Sequence, residues 1–196
     1  MKRAFDIIAS GLGLICLSPL FAVLAVWIKC DSKGPVFYRQ VRVGRDNKDF
    51  RLFKFRSMRP DSDKLGLITV GGHDPRVTRS GYYIRKYKLD EFPQLINVFL
   101  GDMSLVGPRP EVRKYVDMYT SEQMKVLSVR PGITSLASIR YRNENDILAA
   151  AEDPDMCYIE QVMPDKLAID LEYVSKANLW NDIKLIFSTF KEIIMK

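Results

Sequence analysis

Ile7-Ile8-Ala9-Ser10-Gly11-Leu12-Gly13-Leu14-Ile15-Cys16-Leu17-Ser18-Pro19-Leu20-Phe21-Ala22-Val23-Leu24-Ala25-Val26-Trp27-Ile28 carries no charge over 22 residues. As one helix it would measure about 33 Å, enough to cross a bilayer core. A signal peptide is the first alternative: Lys2 and Arg3 form an n-region, but the apolar run is long and no clear Ala-x-Ala site follows. A soluble core helix fits less well than membrane contact. Pro19 lacks an N–H and clashes with the carbonyl of Ile15, which predicts a kink at Ser18-Pro19. The Ser18 hydroxyl is placed to satisfy backbone groups that the proline frees. Lys2 and Arg3 precede the run, and Lys29 and Lys33 follow it. A spanning helix carries its basic excess on one side. Two basic flanks predict instead that residues 1–30 enter one leaflet and return to the same, cytoplasmic, face. Residues 31–196 then form a globular part on that face.

Further along stands Lys88-Leu89-Asp90-Glu91-Phe92-Pro93-Gln94-Leu95. Asp90 reads as a helix N-cap, Pro93 as a first-turn residue, and Gly101 as the glycine beyond the helix end. Leu95, Ile96, Phe99 and Leu100 follow at helical spacing, which puts Asp90 and Glu91 in the positive field of a helix N-terminus. Arg76, Arg79, Arg85, Lys86 and Lys88 lie just upstream with no acid between 76 and 88. Carboxylates beside many cations suit an anionic substrate such as a phosphate ester. An ionised aspartate can attack phosphorus, and a neighbouring acid can help hold a divalent metal or move a proton. The bland alternative is a capping aspartate among surface charges, and the pair alone does not separate the two.

A chain of 196 residues suits one domain, 1–196, with one core. Thirty Lys and Arg against 24 Asp and Glu give +6, which points to an anionic partner: nucleotide, lipid phosphate or nucleic acid. Cys16, Cys30 and Cys157 are too scattered for a disulfide framework or a zinc site. His73 is the sole histidine and stands in a turn-like Gly71-Gly72-His73-Asp74-Pro75, so histidine triads and histidine metal sites have little support.

Val36 to Val41 and Phe50 to Phe55 read as a hairpin around Gly44-Arg45-Asp46-Asn47. It carries Arg39, Arg42, Arg45, Lys48, Arg51, Lys54, Arg56 and, just beyond, Arg59. These could meet nucleic acid, anionic headgroups or a substrate diphosphate, or form a solvated face. Residues 60 to 75 read as a loop over the site. Pro110 opens a helix to about Tyr119, and Thr120-Ser121-Glu122-Gln123 resembles a capping box. Ile133 to Tyr141 reads as extended. Helices are expected over Asp146 to Ala151, Pro154 to Val162, from Pro164 with Asp170 off its apolar face, and over Leu179 to Met195. The last has a stripe of Trp180, Ile183, Ile186, Phe187, Phe190, Ile193 and Ile194, read as core or as an interfacial face.

Several stretches together carry a family likeness: Gly34 to Gln40, Lys54-Phe55-Arg56-Ser57-Met58, Asp74 to Gly81, Leu89 to Val98, Gly101 to Pro110 and Arg130-Pro131-Gly132-Ile133-Thr134. In this order, and with the Ser18-Pro19 segment, the chain resembles the bacterial sugar transferases known as small monotopic phosphoglycosyl transferases. The resemblance covers nearly the whole chain. It departs at Phe92, where an aliphatic residue is usual, and at Ser135 to Tyr141, where a Gly-Leu-Ala-Gln-x-x-Gly-Arg pattern is kept clearly only at Arg142.

The resemblance implies an α+β, mostly helical fold with a re-entrant membrane helix, a small hairpin and amphipathic interfacial helices. It implies transfer of a sugar-1-phosphate from a UDP-sugar to undecaprenyl phosphate, releasing UMP, as the first membrane step of glycan assembly. Asp90 would be the nucleophile, with Glu91 its partner and Mg²⁺ at these two acids. Lys54, Arg56, Arg85, Arg109, Arg142 and Asp170 would contact substrate, and Ser18 and Pro19 would form the bend. The expected setting is the cytoplasmic face of the bacterial inner membrane. Expected partners are the two substrates and membrane lipids, with no nucleic acid, and a homodimer as an open assembly. A membrane-anchored nucleic-acid-binding protein and an inactive scaffold of a glycan assembly complex are the competing readings.

Overall fold

The computed structural model describes residues 1–60, 62 and 74–194. The predicted loop over 60 to 75 and the turn at His73 therefore lie mostly outside the described residues, as do the side chains of Phe190, Ile193 and Ile194. In chain order the elements are α1 (Lys2–Asp31), β1 (Phe37–Val43), β2 (Asp49–Phe55), α2 (Arg79–Lys86), α3 (Gln94–Leu100), β3 (Ser104–Val106) and α4 (Arg113–Val116). Then come β4 (Gly132–Thr134), α5 (Leu136–Arg140), α6 (Glu144–Ala150), α7 (Pro154–Cys157), α8 (Met163–Ser175) and α9 (Leu179–Ile194). The fold is mostly helical, as expected.

Helix assignment in α1 continues through Pro19 for 30 residues, about 45 Å of helix. Pro19 deprives the Ile15 carbonyl of its helical donor, and Ser18 Oγ donates to that oxygen at 2.8 Å, the compensation read from the sequence. On the inner face Leu24 and Ile28 pack with Phe55 and Ile84. Small residues let α3 approach the N-terminal half: a Cβ on Gly13 would lie 3.1 Å from Leu95 Cδ1, and one on Gly11 3.4 Å from the Phe99 ring.

Both ends of α1 are bonded to the rest of the protein. Lys2 Nζ donates to the Val106 carbonyl at 3.0 Å and pairs with buried Asp182. Arg3 donates to the Val98 and Phe99 carbonyls at 2.6 and 2.9 Å, satisfying the open end of α3. Asp6, also buried, accepts from Ser104 Oγ at 2.9 Å and the Leu105 N–H at 3.1 Å. At the far end, Asp31 accepts from the N–H and Oγ of Ser80 at 2.9 and 2.8 Å. Lys2 and Arg3, read as a flank of the apolar run, thus hold it to the globular part.

The hairpin β1–β2 is antiparallel in the register Phe37↔Phe55 to Val43↔Asp49. Buried Asn97 of α3 lies along its outer edge, accepting from the Phe53 N–H and donating to the Arg51 carbonyl, both at 2.8 Å. β3 and β4 pair in parallel, a second small sheet the sequence did not announce. Their approach depends on glycine, since a Cβ on Gly132 would sit 2.0 Å from the Gly107 nitrogen. The Gly132 N–H donates to the Pro108 carbonyl at 2.8 Å, which pins the segment carrying Arg109. A separate core under α8 gathers Val112, Tyr115, Val126, Leu148, Tyr158, Val162, Met163 and Leu167.

Several local expectations shift. The helix at Leu95 starts at Gln94, not at an Asp90 cap, while Gly101 ends it at φ 105° as expected. The helix expected from Pro110 shrinks to α4, because residues 108–112 run extended into the core. Thr120 and Gln123 do form the reciprocal bonds of a capping box, at 2.8 and 3.3 Å, but a 3₁₀ turn follows. The extended reading of 133–141 holds only to Thr134, where Ser135 caps α5 through the Ser138 N–H at 2.9 Å. Asp170 is buried rather than off the apolar face of α8. Trp180 and Phe187 of α9 are 74% and 71% exposed, so that part of the stripe is not core.

Gly132→Ala forces the Gly107 backbone away and displaces the Arg109 segment. The expected outcome is a loss of thermal stability of a few kcal/mol or failure to fold, read by circular dichroism on heating; an unchanged unfolding temperature would contradict the close approach.

Candidate active site

Asp90 and Glu91 lie in a single 3₁₀ turn, Leu89–Glu91, set between α2 and α3. Lys88 enters that turn with a left-handed backbone at φ 56°, ψ 22°. The two adjacent carboxyls consequently face different surroundings. Glu91 is held between two cations: Lys54 of β2 at 3.2 Å, and Arg109, which reaches it with both guanidinium nitrogens. Burial works to raise the Glu91 carboxyl, but Arg109 and then Lys54 overcome this and hold it well below the usual carboxylate range. Burial lowers the Lys54 ammonium, with Glu91 opposing. The Glu91 charge raises Arg109 further.

Asp90 accepts no hydrogen bond from another described residue. Burial raises its carboxyl above the ordinary value; Lys54 opposes this, the Glu91 charge adds to it, and Arg85 and Lys88 oppose it. The helix field read from the sequence is therefore not what governs this pair, because α3 begins only at Gln94.

The other expected contacts separate. Arg85, in the last turn of α2, is half-buried and acts on Asp90 through its charge. The buried Arg56 guanidinium donates to the Lys33, Ile28 and Ser32 carbonyls at 2.8, 3.3 and 2.7 Å, closing the end of α1. Arg142 is exposed in the turn between α5 and α6. Asp170 lies behind Arg109, its carboxylate accepting from the backbone N–H groups of Ala137 and Arg109, and Oδ1 has no partner. It lines a small cavity with Arg109, Glu111, Tyr119, Val126 and Leu167. Burial pushes its carboxyl up to about 7, against those N–H groups and Lys166.

Sequence reading missed the support of the Arg109 segment. Arg42 donates to Glu111 at 2.8 Å and to the Pro110 carbonyl at 3.1 Å, and the Tyr158 hydroxyl donates to Glu111. The acid directly after Pro108-Arg109-Pro110 was the available hint, but its partners lie 69 residues back and 47 forward.

As to a metal, no group of three or more His, Cys, Asp or Glu gathers among the described residues. Glu91 already serves two cations, so Asp90 is the acid with capacity to meet Mg²⁺. A Mg²⁺ carried by one carboxylate together with substrate phosphates is a usual arrangement for that ion, and in that sense the residues fit it.

An unpaired carboxyl, a locked carboxylate and several cations define an anion-handling site beside a helix long and apolar enough to cross a membrane. The family description "Bacterial sugar transferase" matches residues 1–196, and the chain belongs to that family. It is 41% identical over 197 residues to the UDP-N-acetylgalactosamine-undecaprenyl-phosphate N-acetylgalactosaminephosphotransferase of Aeromonas hydrophila, covering 99% of this chain and 44% of that one. It is also 41% identical over 200 residues to the UDP-glucose:undecaprenyl-phosphate glucose-1-phosphate transferase of Klebsiella pneumoniae, covering 100% and 40%. The exopolysaccharide production protein PSS of Rhizobium leguminosarum bv. phaseoli is 39% identical, with 96% and 92% covered. The chain thus spans less than half the length of the first two relatives.

A buried acid raised to about 7 favours its protonated form when folded. Its contribution to stability is full below the ordinary aspartate value near 4 and is lost as pH rises through about 7. Asp170→Asn should therefore gain on the parent by about 3 kcal/mol between pH 5 and 8, measured as a widening difference in unfolding temperature. A constant difference would assign Asp170 an ordinary titration.

Proposed function

We propose that this chain moves a sugar-1-phosphate from a UDP-sugar to undecaprenyl phosphate, giving undecaprenyl-diphosphate-sugar and UMP, at the cytoplasmic face of the bacterial inner membrane. The observation that carries the reading is the division between the two acids: Glu91 is fixed as an anion by Lys54 and Arg109, and Asp90 is left unbonded beside Arg85 and Lys88. A carboxylate oxygen of Asp90 attacks the phosphorus bearing the sugar. The bond from that phosphorus to the bridging oxygen breaks, and UMP leaves with the electron pair. An oxygen of undecaprenyl phosphate then attacks the same phosphorus and displaces the Asp90 carboxylate. Phosphoryl transfer rests on positioning and charge neutralisation. A Mg²⁺ held by Asp90 and the donor phosphates would supply part of that neutralisation.

Topology follows the same logic. A membrane-crossing helix has its ends on opposite sides, yet Lys2, Arg3 and Asp6 at one end of α1 and Asp31 at the other bond to the same globular part. Ile15, Cys16, Ser18 and Pro19 between them are exposed. This supports a bend dipping into one leaflet. Ile8, Leu12, Val23 and Val26 extend the exposed apolar surface, and Trp27 lies 6.0 Å from Tyr83 ring to ring, an aromatic pair suited to the interface. The exposed Trp180 and Phe187 fit an interfacial role for α9. The nucleic-acid reading has less to stand on, since Arg42, Lys54 and Arg56 of the hairpin region are engaged inside the protein.

Two relatives of equal identity act, by name, on different donors, so the test uses a panel of UDP-sugars with Mg²⁺ and undecaprenyl phosphate. Lipid-dependent UMP from at least one donor is expected, and release of UDP instead would overturn the mechanism. Asp90→Asn should lower the rate at least about 10³-fold while the protein still sediments with membranes, as loss of a nucleophile does. Formation of the phosphosugar adduct should fall as pH drops through an inflection above the ordinary aspartate value near 4, because only the ionised carboxyl attacks. An inflection at or below that value would contradict the burial of Asp90.

A further inference from the structure

We propose that Lys88 is a donor-binding residue of this site, held beside Asp90 by its left-handed backbone so that its ammonium meets the diphosphate of the UDP-sugar. The inference rests on the function proposed above and adds a residue to it.

A diphosphate donor brings at least two negative charges to a site that already holds Asp90 and Glu91. Lys54 and Arg109 are both bound to Glu91, which offsets one of their two charges and holds both side chains in place. Arg85 and Lys88 act on Asp90, and neither forms an ion pair with a described acid. Arg85 is half-buried, whereas Lys88 is exposed and so accessible to a ligand arriving from solvent.

Three non-glycine residues among those described have positive φ: Asp46, Asn47 and Lys88. Asp and Asn tolerate that region through short polar side chains, but a lysine does so rarely. The Lys88 N–H donates to the Arg85 carbonyl at 3.0 Å, so this one residue ends α2 and opens the turn that carries Asp90 and Glu91. Glycine or asparagine would make the same turn with less strain. Strained backbone persists where the side chain has a use, and here the use consistent with the surroundings is a cation two residues before the attacking carboxyl.

The variants Lys88→Gly, Lys88→Asn and Lys88→Arg separate the turn from the charge. Gly and Asn accept the left-handed conformation, so both proteins should unfold at the parental temperature or above it. Both should also show a KM for the UDP-sugar raised about tenfold, the loss expected for one charge-assisted contact, with Lys88→Arg within about threefold of the parent. UDP binding by calorimetry, which needs no turnover, should weaken in the same order. If Gly and Asn keep the parental KM and UDP affinity, or if Arg loses as much as Gly, the assignment is overturned. Should the parent release no UMP from any donor while UDP binding still depends on Lys88, the proposed reaction fails and the diphosphate contact stands.

Discussion

Glu91 between Lys54 and Arg109 is the contact on which the site depends. Its three members come from the hairpin, the turn after α2 and the segment after β3, so the cluster forms only when those parts are docked. Removing water from three charges is expensive, and the expense is offset only when each keeps a partner. Loss of either cation would leave the half-buried Glu91 carboxylate with a single partner. Much of the surrounding structure acts to keep the three in place. Arg42, Glu111 and Tyr158 hold the Arg109 segment from one side, Asp170 accepts its N–H from another, and the Gly107–Gly132 approach fixes its entry.

The same arrangement gives two neighbouring acids opposite properties. Glu91 is saturated with charge-assisted bonds, while Asp90 meets its cations only at longer range. Burial therefore dominates at Asp90 and is overcome at Glu91. A desolvated carboxylate without bonded donors is more reactive than a solvated or bonded one, which is the physical ground for proposing Asp90, rather than Glu91, as the attacking group.

Helix α1 is bonded into the same framework at both ends. Asp6, Lys2 and Arg3 tie it to β3, α9 and α3, while Arg56 and Ser80 tie its other end to the hairpin and α2. The turn bearing Asp90 is thus framed by elements that α1 itself supports. The distance between the exposed apolar face of α1 and the Asp90 turn is therefore set by protein bonds rather than by a flexible linker.

Much of this was readable from residues alone. The apolar run with Ser18-Pro19, the hairpin itself, the glycine stop at Gly101, the capping box at Thr120 and Gln123, and the nearness of cations to the two acids are local or near-local features. Backbone geometry and side-chain period fix them within a few residues. The roles of Arg56, Asp170, Lys2 and Arg3 were not readable. Each was taken for a substrate contact or a flanking charge, and each is bonded to backbone or side chains far away in the sequence. Sequence determined that cations and carboxylates would be gathered in a chain that also carries a long apolar helix. Only tertiary structure decided which cation neutralises which acid, because burial and pairing depend on packing between remote segments, and that is what leaves Asp90 rather than Glu91 unbonded.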